Sequence, residues 1–130
     1  MATKLEILHA YRSLYREVSK AVLHARPARD IARGQVRTAF TEPDAVFNPE
    51  GIRRTTWFLQ CAAREKGFEH TILKNLLRVH EKRAFTRKGW KQSYSESKRE
   101  SPFEFERRTR YLHYDMTVAM LNKTMGLLLR

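Results

Sequence analysis

Apolar positions recur at steps of three and four along nearly the whole chain, and no stretch alternates with the two-residue period of a strand. Leu5, Leu8, Tyr11, Leu14 or Tyr15, Val18 and Val22 mark one face of a first helix, predicted from about Leu5 to Ala25. Thr3 is placed to cap it, with Glu6 three residues on to complete a capping box. Arg12, Arg16 and Lys20, each four apart, set a basic row beside the apolar stripe. Arg26-Pro27 breaks this helix, and Pro27 suits the first position of a second one. The second face reads Ala28, Ile31, Ala32, Val36, Ala39 and Phe40, and Thr41-Glu42-Pro43-Asp44 ends it. Gly34 inside it is about 1 kcal/mol worse than alanine in a helix, which marks a candidate close helix crossing.

Residues 43–49 form a loop with two prolines, from which Val46 and Phe47 are expected to fold back onto the core. A third helix starts near Pro49 or Glu50 and carries Ile52, Leu59, Cys61, Ala62, Ile72, Leu73, Leu76 and Leu77 through to about His80. Gly67 leaves two readings open, a bend or a split into two helices. From Glu81 to Glu100 the periodicity fails, and Lys and Arg outnumber Glu with Phe85, Trp90 and Tyr94 threaded between them. Such a stretch reads as a connector, ordered where a partner holds it. Ser101-Pro102-Phe103-Glu104 is a helix start, and Phe105, Leu112, Met116, Met120 and Leu127 carry a last helix to about Leu129. The expected fold is all-α: a three-helix antiparallel bundle in 1–80, a basic aromatic connector in 81–100 and a C-terminal helix in 101–130.

Composition sharpens this picture through charge. At 130 residues and 42% hydrophobic content the chain makes one domain with an adequate core. Its net charge is +12, from 17 arginines and 9 lysines against 14 acids. Arginine forks onto phosphate and carboxylate better than lysine, so the bias points to RNA or to an acidic protein and does not separate the two. The longest hydrophobic passage, Val118 to Leu129, is broken by Asn122, Lys123, Thr124 and Gly126, and no membrane span is expected. A single cysteine, Cys61, excludes an internal disulfide and fits a reducing compartment. The capped helix follows Met1-Ala2-Thr3 directly, so no separate cleavable leader is expected; Glu6 and Glu17 weaken the likeness of this basic helix to a transit peptide.

Catalytic chemistry finds few footholds. His9, His24, His70, His80 and His113 include no pair at four-residue spacing, and one cysteine cannot build a zinc site. Cys61 sits among apolar neighbours, where a small buried hydrophobe is the default reading. No glycine-rich phosphate loop exists among five glycines, and the acids are scattered beside arginines. No enzyme is expected. The connector is the nucleic-acid candidate: Arg83, Arg87, Lys88 and Lys91 for phosphate, Trp90 and Tyr94 for stacking on bases. It reads equally as a solvated linker whose aromatics pack on protein, and no recognised RNA-binding module is present.

The run Ile7-Leu8-His9-Ala10-Tyr11-Arg12-Ser13-Leu14-Tyr15-Arg16 resembles the opening helix of the LYR-motif proteins, the small mitochondrial complex 1 LYR family. The literal tripeptide is Leu14-Tyr15-Arg16. The longer pattern fits one turn earlier, with Tyr11-Arg12 as the motif pair, Leu14, Tyr15 and Arg16 as its second half, and Ala10 in place of the usual leucine. Arg37-Thr38-Ala39-Phe40 stands where that family's second helix ends in an arginine, two residues and a phenylalanine, and the proline-started helix at Pro49 follows in order. The resemblance spans roughly residues 5–80; residues 81–130 match nothing in the common core.

What the resemblance implies is a non-catalytic adaptor of the mitochondrial matrix that binds acylated mitochondrial acyl carrier protein. The acyl-4'-phosphopantetheine belongs to the carrier; its chain enters between the helices, and basic side chains meet the carrier's acidic surface. Leu8, Tyr11, Arg12, Leu14, Tyr15, Arg16, Arg37 and Phe40 are the positions implied. The residues themselves suit such binding, with Arg12, Arg16 and Arg37 for charge-assisted contacts, and Leu8, Leu14, Ile31, Val36 and Phe40 for an apolar slot. Plain core packing explains Tyr11 and Phe40 equally well. The adaptor would serve as subunit or assembly factor of a large complex, with the charge favouring the mitochondrial ribosome. The alternatives are an RNA-binding mitoribosomal protein without a carrier partner, and a respiratory-complex subunit or assembly factor.

Overall fold

A computed structural model describes residues 2–88, 94 and 104–130, with the side chains of 85–88, 104, 107 and 108 outside that description. Helix α1 (Lys4–Ala21) opens on the expected capping box. The Glu6 amide donates to Thr3 Oγ1 at 3.3 Å, and the Thr3 amide donates to the Glu6 carboxylate at 2.8 Å. The Thr3 amide first, and then the Thr3 side chain, hold the Glu6 carboxyl below the usual carboxylate range.

α1 stops a turn before Ala25. The chain reverses through Leu23 and His24, both with positive φ (54° and 57°). The Leu23 amide donates to the Lys20 carbonyl and the His24 amide to that of Ser19, each at 2.9 Å, the paired closure of a Schellman turn. Side chains in the left-handed region cost on the order of 1–2 kcal/mol each, which burial of Ala21 and Val22 beside the turn helps offset. Pro27 then stands just outside α2 (Ala28–Thr41) as its N-cap, one position earlier than expected. Gly34 is exposed, and a methyl group built on it would meet nothing within 4 Å, so no close crossing occurs there.

α3 (Pro49–Arg64) starts at the proline, capped by Asn48 Oδ1, which accepts the Gly51 amide at 3.0 Å. Of the two readings left open at Gly67, the split is the one observed: the chain breaks at Glu65-Lys66-Gly67, and α4 (Phe68–Lys88) is a separate element. α4 continues from Glu81 to Lys88, into the stretch whose pattern reads as connector. Its tail there lacks an apolar stripe, but Glu, Lys, Arg and Ala are good helix formers and need none.

Four helices therefore share the core in place of the expected three. α1 packs on α2 and α3, and α4 on α3 and α2. Leu14 and Val18 of α1, Ala32 of α2, Leu59 and Ala62 of α3, and Leu73 and Leu77 of α4 meet at its centre. Among the described residues every regular element is helical.

The chain's last part is two short helices, α5 (Glu104–Thr109) and α6 (Leu112–Met125), rather than one reaching Leu129. The expected cap at Ser101-Pro102-Phe103 lies outside the described residues. α6 ends at Gly126, whose φ of 67° turns the chain so that the Leu127 amide donates to the Asn122 carbonyl at 3.1 Å. Leu127 and Leu129 then bury beside Phe58 in a second cluster, with Ile72, Leu76, Val118, Leu121 and Met125 packed around it.

Polar bonds fix that segment. Asn122 Nδ2 donates to the Leu129 carbonyl at 2.7 Å while its Oδ1 accepts the Leu129 amide at 2.9 Å. The Leu128 amide donates to Thr55 Oγ1 at 3.0 Å, and that hydroxyl donates to the Gly51 carbonyl at 2.7 Å. Gly51 lets this segment approach closely, since a Cβ there would lie 2.9 Å from Leu128 Cγ and Cδ1 and would push that side chain aside. Arg83 ties α4 to α6 through Asp115 at 2.6 Å, with its guanidinium 4.3 Å above the Tyr111 ring.

This packing makes two substitutions informative about stability. Gly34→Ala should raise unfolding stability by about 0.5–1 kcal/mol, read as a higher midpoint in urea, because helix propensity improves and nothing is displaced. Asn122→Ala should lower it by about 2–3 kcal/mol, since the Leu129 amide and carbonyl both lose their partner in a buried setting. An unchanged midpoint for the second variant would mean that the segment is not held as described.

Candidate ligand cavity and cationic face

The bundle core does not extend to its other end. A cavity of about 500 Å³ remains there, with Ala32 of the core, Ala39 and the exposed Ala45 among its lining residues. It lies where α1 and α3 begin and α2 ends, with α4 alongside: Ile7, Leu14, Phe40, Ile52, Leu77 and His80 are among its walls. The volume falls within the range of small-molecule sites. An apolar cavity forfeits dispersion contacts along its lining, and any ligand that fills it stabilises the folded chain.

Three large hydrophobic residues of the lining are themselves exposed, Ile7 (36%), Val46 (90%) and Leu128 (46%), and they mark the mouth. Polar groups are few. Glu42 and Arg130 line the same space and pair at 2.7 Å, and Gln35 hydrogen-bonds His80 between α2 and α4.

Beside the cavity runs the seam between α1 and α2. The Tyr11 ring stands edge-on to Phe40, centroids 5.4 Å apart at 76°, and tilts against Tyr15 at 5.6 Å. Phe40 also lines the cavity, so this pair separates the interior from the outer seam. The Arg33 guanidinium lies 4.7 Å over the Tyr15 ring, and its Nε donates to Ser19 Oγ at 2.9 Å.

Arg12, Arg16 and Arg37 are exposed, and none forms an ion pair among the described residues. Their neighbours differ. Lys20 is paired with Glu17 at 2.8 Å, and Arg53 and Arg54 with Glu50 at 2.6 and 3.2 Å. Those two arginines hold the Glu50 carboxyl below its ordinary range. Three cations thus remain available to an outside anion.

The implied residues divide between these two features. Leu14 and Phe40 line the cavity, as does Val36; Tyr11 and Tyr15 build the seam; Arg12, Arg16 and Arg37 stand outside it. Leu8 and Ile31 do not line the slot expected of them. Ile7 takes the inward position instead, while Leu8 is 40% exposed and Ile31 packs on the main core. Leu5, Leu8, Arg12 and Arg16 consequently share an outward stripe of α1, at steps of three, four and four.

Phe47 is half-buried against the cavity, as the apolar pattern of the loop predicts, but Val46 does not fold onto the core and stands 90% exposed at the mouth. That pattern carries no signal for His80 or for Leu128, Leu129 and Arg130, which tertiary packing brings to the cavity. Of the nucleic-acid candidates, Arg83 is engaged by Asp115, Tyr111 and Tyr114. Arg87 and Lys88 are described in backbone only, within α4; Trp90 and Lys91 lie outside the described residues, and Tyr94 is exposed. Among the described residues no helix is long and apolar enough to cross a membrane.

Phe40→Ala should cost about 2–3 kcal/mol, because it removes both the edge-on ring contact and a wall of the cavity. Thermal unfolding followed by circular dichroism measures it, and a loss below 1 kcal/mol, roughly the value of one ring pair alone, would detach Phe40 from the cavity wall.

No family model and no solved structure matches the chain. A UPF0593 mitochondrial protein of Schizosaccharomyces pombe is 33% identical over 104 residues, which cover 77% of this chain and 81% of that protein. At that identity and coverage, the chain belongs to the UPF0593 family.

Proposed function

We propose that this chain is a non-catalytic mitochondrial adaptor of the LYR type, which docks acylated acyl carrier protein in the matrix. The observation that carries the reading is the apolar cavity of about 500 Å³ beside three exposed arginines. The carrier's acidic helix would lie along the stripe Leu5–Leu8–Arg12–Arg16, with Arg37 at its flank. Exposed leucines followed by cations suit an amphipathic acidic partner, whose charges also speed the encounter. The acyl chain on the carrier's phosphopantetheine would fill the space behind Tyr11 and Phe40. The mitochondrial relative in yeast supports the compartment. As adaptor the chain would serve as subunit or assembly factor of a larger assembly, and its charge of +12 favours the mitochondrial ribosome, where cations not used by the carrier meet rRNA.

The test is purification of the tagged protein from mitochondria with intact-mass analysis of what accompanies it. A small acidic protein bearing an acyl-pantetheine adduct is expected. Arg12→Glu/Arg16→Glu should abolish its recovery while leaving the circular dichroism spectrum unchanged, because both side chains are exposed and structurally uninvolved. Carrier retained at wild-type level by the double variant, or RNA recovered with no carrier at all, overturns the reading.

A further inference from the structure

We infer that Arg130 is an anion-recognition residue at the mouth of the cavity, and that the site takes a single alkyl chain ending in an anionic group. The inference rests on reading the cavity as an acyl site, but assigns its polar end to the chain's last segment, outside the part that resembles the LYR family. Arg130 and Glu42 both line the cavity and pair at 2.7 Å, with side chains 45% and 46% exposed. An ion pair so wet contributes little by itself, so exchanging Glu42 for the carboxylate or phosphate of a ligand costs little.

The backbone that leads to the arginine is nevertheless held. Asn122 grips Leu129 on both its amide and its carbonyl, and Thr55 holds the Leu128 amide, which fixes the backbone leading to Arg130. Arg54, also near α6's end, is already occupied by Glu50 and the Met125 carbonyl. Leu128 and Val46 stand at the mouth as apolar rims, and the interior beyond is walled by Leu14, Val36, Leu59 and Leu73. An alkyl chain inside with its charged end at Arg130 satisfies every part of that arrangement: apolar against apolar, anion against fork. In the free protein Glu42 stands in for that anion.

A free fatty acid has that chemistry outright; the chain borne by a carrier is a neutral thioester, whose nearest anion is the phosphate at the far end of the pantetheine arm. Displacement of cis-parinaric acid from the full-length protein by tetradecanoic acid, with methyl tetradecanoate as the neutral control, tests the site without a carrier. The acid should bind more tightly than the ester. Arg130→Gln should weaken the acid by about fivefold and leave the ester unchanged, the size expected of one half-exposed charged contact. Glu42→Gln should tighten the acid by a similar factor, because the competing carboxylate is gone. Val36→Phe, which fills the interior, should weaken both ligands, with thermal unfolding confirming that the variant folds.

If neither ligand binds, or if acid and ester respond alike to Arg130→Gln and Glu42→Gln, the inference is wrong. Carrier recovered from mitochondria beside an indifferent Arg130 would refute it while sparing the adaptor reading. Head-group-dependent binding of tetradecanoic acid by a protein that recovers no carrier from mitochondria would do the reverse, and would name free fatty acid as the source. A lower acylated fraction on carrier recovered with Arg130→Gln would name the carrier.

Discussion

One end of the bundle packs and the other cannot, and most of the molecule follows from that asymmetry. Leu14, Val18, Leu59 and Leu73 interlock at one level and set the distance between the four helices. Those same four residues also line the cavity, which opens beyond them among Ile7, Phe40, Ile52 and Leu77 and is not filled from within. Loop residues 42–48 and the segment Leu127–Arg130 border the gap without closing it. The native packing density of proteins leaves few voids larger than a water molecule, so a space of this size is a property to be explained by what enters it.

Electrostatics point the same way. Several acids on the described surface are spent locally: Glu17 on Lys20, Glu50 on two arginines of its own helix, Asp115 on Arg83, Glu42 on Arg130. Arg12, Arg16 and Arg37 belong to the exposed cations that form no ion pair among the described residues, and they lie on α1 and α2. A surplus of +12 repels itself in the compact state, and an anionic companion relieves that repulsion at the place where relief is greatest.

Short-range features are legible in the sequence and long-range ones are not. The capping box of Thr3 and Glu6, the start of α3 at Pro49 and the position of Arg37 and Phe40 at the end of α2 each depend on residues within four of one another. The turn after α1 escapes a sequence reading because Leu23 and His24 occupy positions where glycine or asparagine usually gives notice. The break between α3 and α4 is visible only as the ambiguous Gly67. Periodicity also cannot choose between Ile7 and Leu8, which are neighbours on the helix; the first faces in because α2 and the 42–48 loop meet it there. A hollow between the helices is implied by resemblance, but its walls at Leu128 and Leu129 are not. No local pattern reports contacts over seventy residues away, such as that between Leu128 and Thr55.

Asn122 gives the fold a lever. Its side chain clasps Leu129, its carbonyl receives Leu127, and between them Leu128 reaches the hollow interior from a stretch otherwise sunk in the Phe58 cluster. Any push on Leu128 from inside is therefore felt within a few ångströms by α6, whose outer side carries the uncovered row Leu112, Met116 and Met120.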